Sequence, residues 1–522
     1  MRLVGSGRAG HSGAVLLLVL ACSDPVDSSG AVGCERLVLG LEATAHTVDL
    51  LLDPPSSAAS VRAGACYTSA AGDAQGCHTW TSGAEEGSLR LTLLPADTTL
   101  EVALHWLDAA GAELCTATHS VATRSGSGGV PALRLDRHQD GWLDDPPYLA
   151  LPFVDVSETP DPISRVALFD PFGQQVAEAE IVGGMDARVL GDRIVGFTGA
   201  LPEALQIGET VTGSAAVFVD LAGTETASVE LAPGHHRFEP LGSDGAVEDI
   251  YSLGFEVLPE LSEACGTELF GSTLVHTRPG EEGTVVWRST DRVPTGEAGD
   301  CGFLESLHAL QGDEALYMHY ANSWEGPGAN GWGCLTMASA YTEWQGGVCL
   351  KLEGDQVTDS VHVSDASWSD VAVSGEADVF EYPHSMGIWS DDSDELILGV
   401  YNRNEYVLEE CATMSAYRID RTAGTIERLG GWPSADDTAA CVTSESHGNV
   451  LAERWDDGWR VTVNHGAARS MHVLDTSDFV HWELVAEAAP SDPDALSQMR
   501  PTFVSFARDV GEGHEVTWSS LP

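Results

Sequence analysis

The sequence predicts an all-β chain, a β-sandwich followed by a six-bladed β-propeller. Three observations lead there. One phrase recurs at intervals of about 60 to 76 residues, opening at His236, His308, His384 and His447. Each copy holds about four short strand-like runs separated by turn residues, enough for one propeller blade, and 3.6-residue periodicity is absent. Two further copies of a D-x-x-G strand pair, at Asp170 to Gly173 and Asp220 to Gly223, bring the count to six.

The elements follow in order from the N-terminus. Arg2 and Arg8 precede an apolar run, Ala14 to Ala21, too short to span a bilayer as a helix. It ends Val19-Leu20-Ala21-Cys22, which resembles a bacterial lipobox. Residues 1–22 therefore read as a lipoprotein signal peptide with Cys22 as the acylated residue, and 23–33 as a tether. The expected location is the bacterial cell envelope, with membrane contact only through the N-terminal lipid.

Residues 34–124 alternate apolar and polar positions between turn clusters, as a sandwich requires. Leu94 to Val102 followed by Asp108 to Leu114 looks like the late strands of an immunoglobulin or fibronectin type III module. Residues 125–149 read as an acidic Gly/Asp-rich linker. Within it Asp136, Asp140 and Asp144 have a spacing that would suit a weak calcium loop, but His138 stands at the third ligand position and Pro147 where a bidentate Glu is expected. An acidic interdomain turn is the preferred reading, and no other cofactor is expected. The propeller is assigned to 150–522, with Arg500 to Ala507 and Glu515 to Trp518 as its last strands, one of them closing the ring.

Eleven cysteines become an even ten once Cys22 is set aside, which suits an oxidising compartment. Pairing near neighbours gives Cys66–Cys77, Cys334–Cys349 and Cys411–Cys441, leaving Cys34–Cys115 and Cys265–Cys301. A formal charge of -55 repels nucleic-acid phosphates, so nucleic acid is excluded as a partner. Lys351 is the one lysine, and nearly all positive charge is arginine.

Radial symmetry would bring one residue per blade to a common axis, so the four repeat histidines are candidates for a shared funnel. The plainer reading is that each caps its blade by hydrogen bonds. His235-His236 with Asp244-Gly245, His384 with the run Gly399 to Asn404, Ile419 to Gly424 with Leu429 to Gly431, and His447 with Asp457-Gly458 to Gly466 and Arg469-Ser470 together resemble the ordered phrases of bacterial arylsulfotransferases. The resemblance covers about residues 150–490. It implies a six-bladed propeller that moves a sulfuryl group between phenols through a sulfohistidine. By position it implies His447 as nucleophile, His384 and Arg403 holding sulfate, and His308 assisting the phenol oxygen. It also implies substrate contacts from His236, Asn402, Asn449, Asn464 and Arg469. A planar guanidinium at Arg403 would match a tetrahedral oxyanion bidentately. Three positions depart from the pattern: Met386 replaces an asparagine, His308 lacks the following amide, and Arg469-Ser470 reverses the usual order.

Two competitors remain. A non-catalytic surface propeller would hold a glycan or protein with Trp324, Trp332, Trp344, Trp389 and Tyr406 on loops over the funnel. Alternatively, the four histidines would ligate a metal. The phrase Asp475 to Glu483 is similar to one in glycoside-hydrolase propellers, but no inward pair of carboxylates is evident in the sequence. No G-x-S-x-G elbow, H-E-x-x-H or phosphate-binding loop is present.

Overall fold

A computed structural model describes residues 34–520 apart from a set of breaks, the longest being 199–213, 292–300, 305–315, 374–382, 403–413, 434–447 and 491–498. The described residues are almost all strand, with one short α-helix, Pro259–Cys265. No described helix is long and apolar enough to cross a membrane. The chain divides into two compact units, one of Met1–Tyr67, Gly76–Ser125 and Gly513–Thr517, the other of the remaining residues.

The first unit is built on two antiparallel sheets. Val38–Ala43, Val48–Leu52 and Ser88–Leu91 form one, while Ser60–Thr68, Ala74–Gly83, Thr99–Leu107 and Glu113–Ala122 form most of the other. Period-2 alternation is clean in Thr99–Leu107, where Leu100, Val102, Leu104 and Trp106 are all buried. The fifth strand of that sheet is His514–Ser520, paired with Ala74–Gly83. The segment from Glu515 to Trp518 thus joins the sandwich sheet rather than the propeller. Its pairing is non-local, so nothing in its own residues announces it.

Among the described residues the second unit holds six sheets in sequence, antiparallel apart from the short parallel additions Leu316–Tyr317 and Ala372–Val373. Blade 1 is Tyr148–Asp155, Ile163–Phe169 and Gln175–Val182. Blade 2 is Gly184–Leu190, Arg193–Thr198, Ser214–Asp220 and Glu225–Leu231. Blade 3 is Gly234–Ser243, Ala246–Val257, Leu269–Thr277 and Thr284–Arg288. Blade 4 is His319–Glu325, Trp332–Ser339, Trp344–Glu353 and Gln356–Ser364. Blade 5 is Pro383–Asp392, Glu395–Asn402, Met414–Asp420 and Thr425–Trp432. Blade 6 is Gly448–Trp455, Gly458–His465, Ser470–Thr476 and Glu483–Pro490. In blades 2 to 6 the first strand is innermost, and the inner strands of successive blades lie side by side.

Five of the seams between blades are apolar clusters drawn from both neighbours. Phe197 and Phe218 meet Phe238 between blades 2 and 3. Leu253 and Trp287 meet Trp324 and Leu335 between blades 3 and 4. Val363 meets Met386 and Leu398 between blades 4 and 5, and Trp389 and Tyr401 meet Val450 and Val463 between blades 5 and 6. Leu149 and Phe169 of blade 1 pack on Met471 and Val473 of blade 6, which closes the ring.

Closure is reinforced by strand exchange at both ends. Met499–Pro501 and Ser505–Ala507 pair along the free edge of Tyr148–Asp155, supplying the inner strand blade 1 otherwise lacks. Leu133–Arg137 pairs with Glu483–Pro490 on the outer edge of blade 6. The stretch expected as linker, 125–149, therefore contains a blade strand, and blade 1 begins at Tyr148.

The D-x-x-G turns are local chemistry. Asp170 Oδ1 accepts from the Phe172 and Gln174 amides, and Gly173 takes φ +77°, a region that costs glycine little. Asp220 repeats this with Ala222, Thr224 and Gly223.

Cys66–Cys77 and Cys334–Cys349 are bonded as their spacing suggested, and Cys34–Cys115 and Cys265–Cys301, the pairs left over, are bonded too. Cys411 and Cys441 lie outside the described residues, as does Cys22.

Candidate functional site

A polar residue occupies a matching station on the inner strand of five successive blades. Arg188, Glu239, Glu325, Ser385 and Asn449 each lie opposite a second-strand residue that faces the next blade. The two-residue alternation of a strand thus points each of them at its neighbour around the ring.

The contacts run from blade to blade. Arg188 Nε donates to Glu239 Oε2 at 3.0 Å, and Arg188 Nη1 donates to Asp186 Oδ1 at 2.7 Å. Glu325 adds its charge to the same guanidinium. Ser385 Oγ donates to Glu325 Oε1 at 3.1 Å and accepts from the Val450 amide at 3.3 Å. Burial pulls the Arg188 pKa down, the carboxylates of Asp186, Glu239 and Glu325 push it up, and the net shift is upward. Arg188 therefore stays charged. Burial raises the Glu239 carboxyl, ahead of the opposing pull of Arg188. Yet 21% of the Glu239 side chain remains exposed, against 7% for Arg188 and none for Asp186. Glu239 is thus the water-facing member of the group.

The polar series ends differently at blade 6. Asn449 and Asn464 are direct cross-strand partners, 1% and 2% exposed. Among the described residues neither polar atom of the Asn449 carboxamide has a hydrogen-bond partner, nor do Asn464 Nδ2 and Thr462 Oγ1. The sequence singled out both asparagines, and the structure brings them together.

Other sequence candidates fall unevenly. His236 lies in the inner strand of blade 3, in the irregular stretch between Gly234 and Phe238. His384 lies in the inner strand of blade 5 at a register shift between Pro383 and Ser385. Asn402 ends the second strand of blade 5. His308, Arg403, His447 and Arg469 lie outside the described residues, as do Asp140, Asp144 and Tyr406. Asp136 stands in the strand Leu133–Arg137 and accepts from Arg134 Nε at 2.9 Å, so it belongs to a ladder rather than a loop. No group of three metal-holding side chains occurs among the described residues.

The tryptophans correct the loop expectation. Trp324, Trp332 and Trp389 are buried strand residues in the seams, and Trp344 opens the third strand of blade 4. The indole of Trp324 lies on Gly333 and that of Trp389 on Gly399, where a Cβ would come within 2.2 and 1.8 Å of the ring. Glycine there lets an inner-strand indole lie flat on the next strand.

Sequence reasoning missed Asp186, Arg188, Glu239, Glu325 and Ser385. Four residue types fill the five places, and only glutamate recurs, so no repeat signal marks the station. Asp186 and Glu239 share one guanidinium, and their separation in the sequence gives no sign of it.

No protein-family model matches the chain, and no curated protein matches its sequence. Among solved structures it is similar to a periplasmic gluconolactonase of Pseudomonas aeruginosa, with 11% identity and TM-score 0.35, over 69% of this chain and 99% of that one. An auxiliary nutrient binding protein of Bacteroides thetaiotaomicron matches with 8% identity and TM-score 0.26, over 86% and 95%. A prolyl endopeptidase matches with 10% identity and TM-score 0.29, over 65% of this chain but only 42% of its own length. The chain is a β-propeller protein with a β-sandwich.

Proposed function

We propose that the chain is a lipid-anchored envelope protein that handles a small molecule at the axis of its propeller, with sulfuryl transfer through His447 as its chemistry. One observation carries this reading. His236 and His384 fall where the inner-strand register breaks, and His447 immediately precedes the inner strand of blade 6. Register breaks re-aim side chains and are frequent beside active sites. The His447 imidazole would attack sulfur as the ester S–O bond breaks and phenolate leaves. An acceptor phenol would then take the sulfuryl group as the S–N bond breaks, giving up its proton to a neighbouring base. His384 and Arg403 would hold the sulfuryl oxygens, and His308 would assist the phenol oxygen. The test is turnover of p-nitrophenyl sulfate with phenol as acceptor. Wild type should release p-nitrophenol and His447→Ala should not. Equal rates in the two remove the reading.

A second reading, binding without turnover, is favoured by the charge at the inner strands. Three carboxylates to one guanidinium disfavour a sulfate ester in a poorly solvated site. Ligand binding with no sulfuryl transfer in either protein would support it.

A further inference from the structure

We propose that Arg188 and Glu239 form a binding subsite for a neutral polyol of sugar size. The inference rests on the axis being the working end of the propeller and does not depend on sulfuryl transfer. Arg188 has spent two of its three nitrogens, Nε on Glu239 at 3.0 Å and Nη1 on Asp186 at 2.7 Å and on the Ala187 carbonyl at 3.0 Å. Its Nη2 is buried without an acceptor among the described residues. A buried charged donor left unmet is costly, so this nitrogen asks for an oxygen. Beside it, Glu239 keeps a fifth of its side chain open to water.

The chemistry of the pair selects the ligand. An anion would satisfy Nη2 but would face Asp186, Glu239 and Glu325 in a medium of low dielectric. An organic cation would suit the carboxylates but would leave Nη2 unmet and be repelled by Arg188. A hydroxyl accepts from Nη2 through its oxygen and donates its own hydrogen to Glu239. Adjacent hydroxyls on one carbon skeleton would do both while staying uncharged.

The experiment is calorimetric titration of the full chain with D-glucose, D-galactose, D-mannose, D-xylose and sodium sulfate. Saturable binding of at least one sugar is expected, and no binding of sulfate by this subsite. Glu239→Gln keeps the shape and should weaken sugar binding roughly tenfold or more. Should that variant melt early, Arg188→Lys serves as a second one: it keeps the positive charge but removes Nη2, and should also weaken sugar binding roughly tenfold. Failure of every sugar to bind, or equal sugar affinity in wild type and a folded Glu239→Gln or Arg188→Lys, overturns the proposal. Transfer activity lost in His447→Ala while no sugar binds would sink this subsite and leave the sulfuryl-transfer reading standing.

Discussion

The imidazole of His276 sits between two carboxylates, with Nε2 2.7 Å from Asp249 and Nδ1 2.5 Å from Asp355. His276 and Asp249 belong to blade 3, whereas Asp355 lies on the turn between the last two strands of blade 4. Tyr251 stacks on the same imidazole at 4.6 Å and donates to the Gly354 carbonyl. One histidine thus ties a strand of one blade to a hairpin tip of the next.

That tie depends on pH in a defined direction. The hydrogen bond from His276 holds the Asp355 carboxyl below the ordinary aspartate range, with Arg278 assisting. A lowered native pKa contributes stability above the unfolded value and loses it as pH falls through the native one. Thermal melts from pH 6 downward should show Asp355→Asn below wild type near neutrality, with the gap closing in acid. A gap that stays constant with pH would contradict the assignment.

Removing the Arg188 side chain should be costly, because Asp186 would be left fully buried without its countercharge. Arg188→Met is expected to lose about 3–5 kcal/mol in denaturant unfolding. Replacing Asp186 by Asn in the same background should recover part of that loss.

The indole of Trp389 occupies the space above Gly399. Gly399→Ala should cost about 1–3 kcal/mol through overpacking, read as a lower urea midpoint with unchanged slope. Gly387→Ala, whose Cβ would meet only ordinary contacts at 3.6 Å, should cost less.

Cys265–Cys301 closes a loop of 36 residues. Its loss in a double Ala variant should lower stability by about 4 kcal/mol on the loop-entropy estimate. Guanidinium unfolding of wild type and variant checks it.

What could be read from the sequence was what short-range chemistry writes. The Asp170–Gly173 and Asp220–Gly223 turns carry their geometry in four residues, and so revealed the blade count. Cys66–Cys77 and Cys334–Cys349 followed from spacing, and Cys34–Cys115 and Cys265–Cys301 from what was left over. The fold class came through because alternation and turns are local signals. Leu133–Arg137 and His514–Ser520 were misplaced because their partners are far along the chain and their own residues name no sheet. The polar station was illegible for a different cause. Arg188, Glu239, Glu325, Ser385 and Asn449 share a place in the ring but no common residue type beyond the two glutamates, so only coordinates align them. The tryptophans were misread because an aromatic suits a ligand funnel and a packed seam equally well.

The exchange of strands at the join between blades 6 and 1 has a temporal meaning. Leu133–Arg137 reaches forward to the last blade, and Met499–Pro501 reaches back to the first. A growing polypeptide therefore cannot latch its ring until nearly all of it has been synthesised, and until then two unsheathed edges stay open to wrong partners.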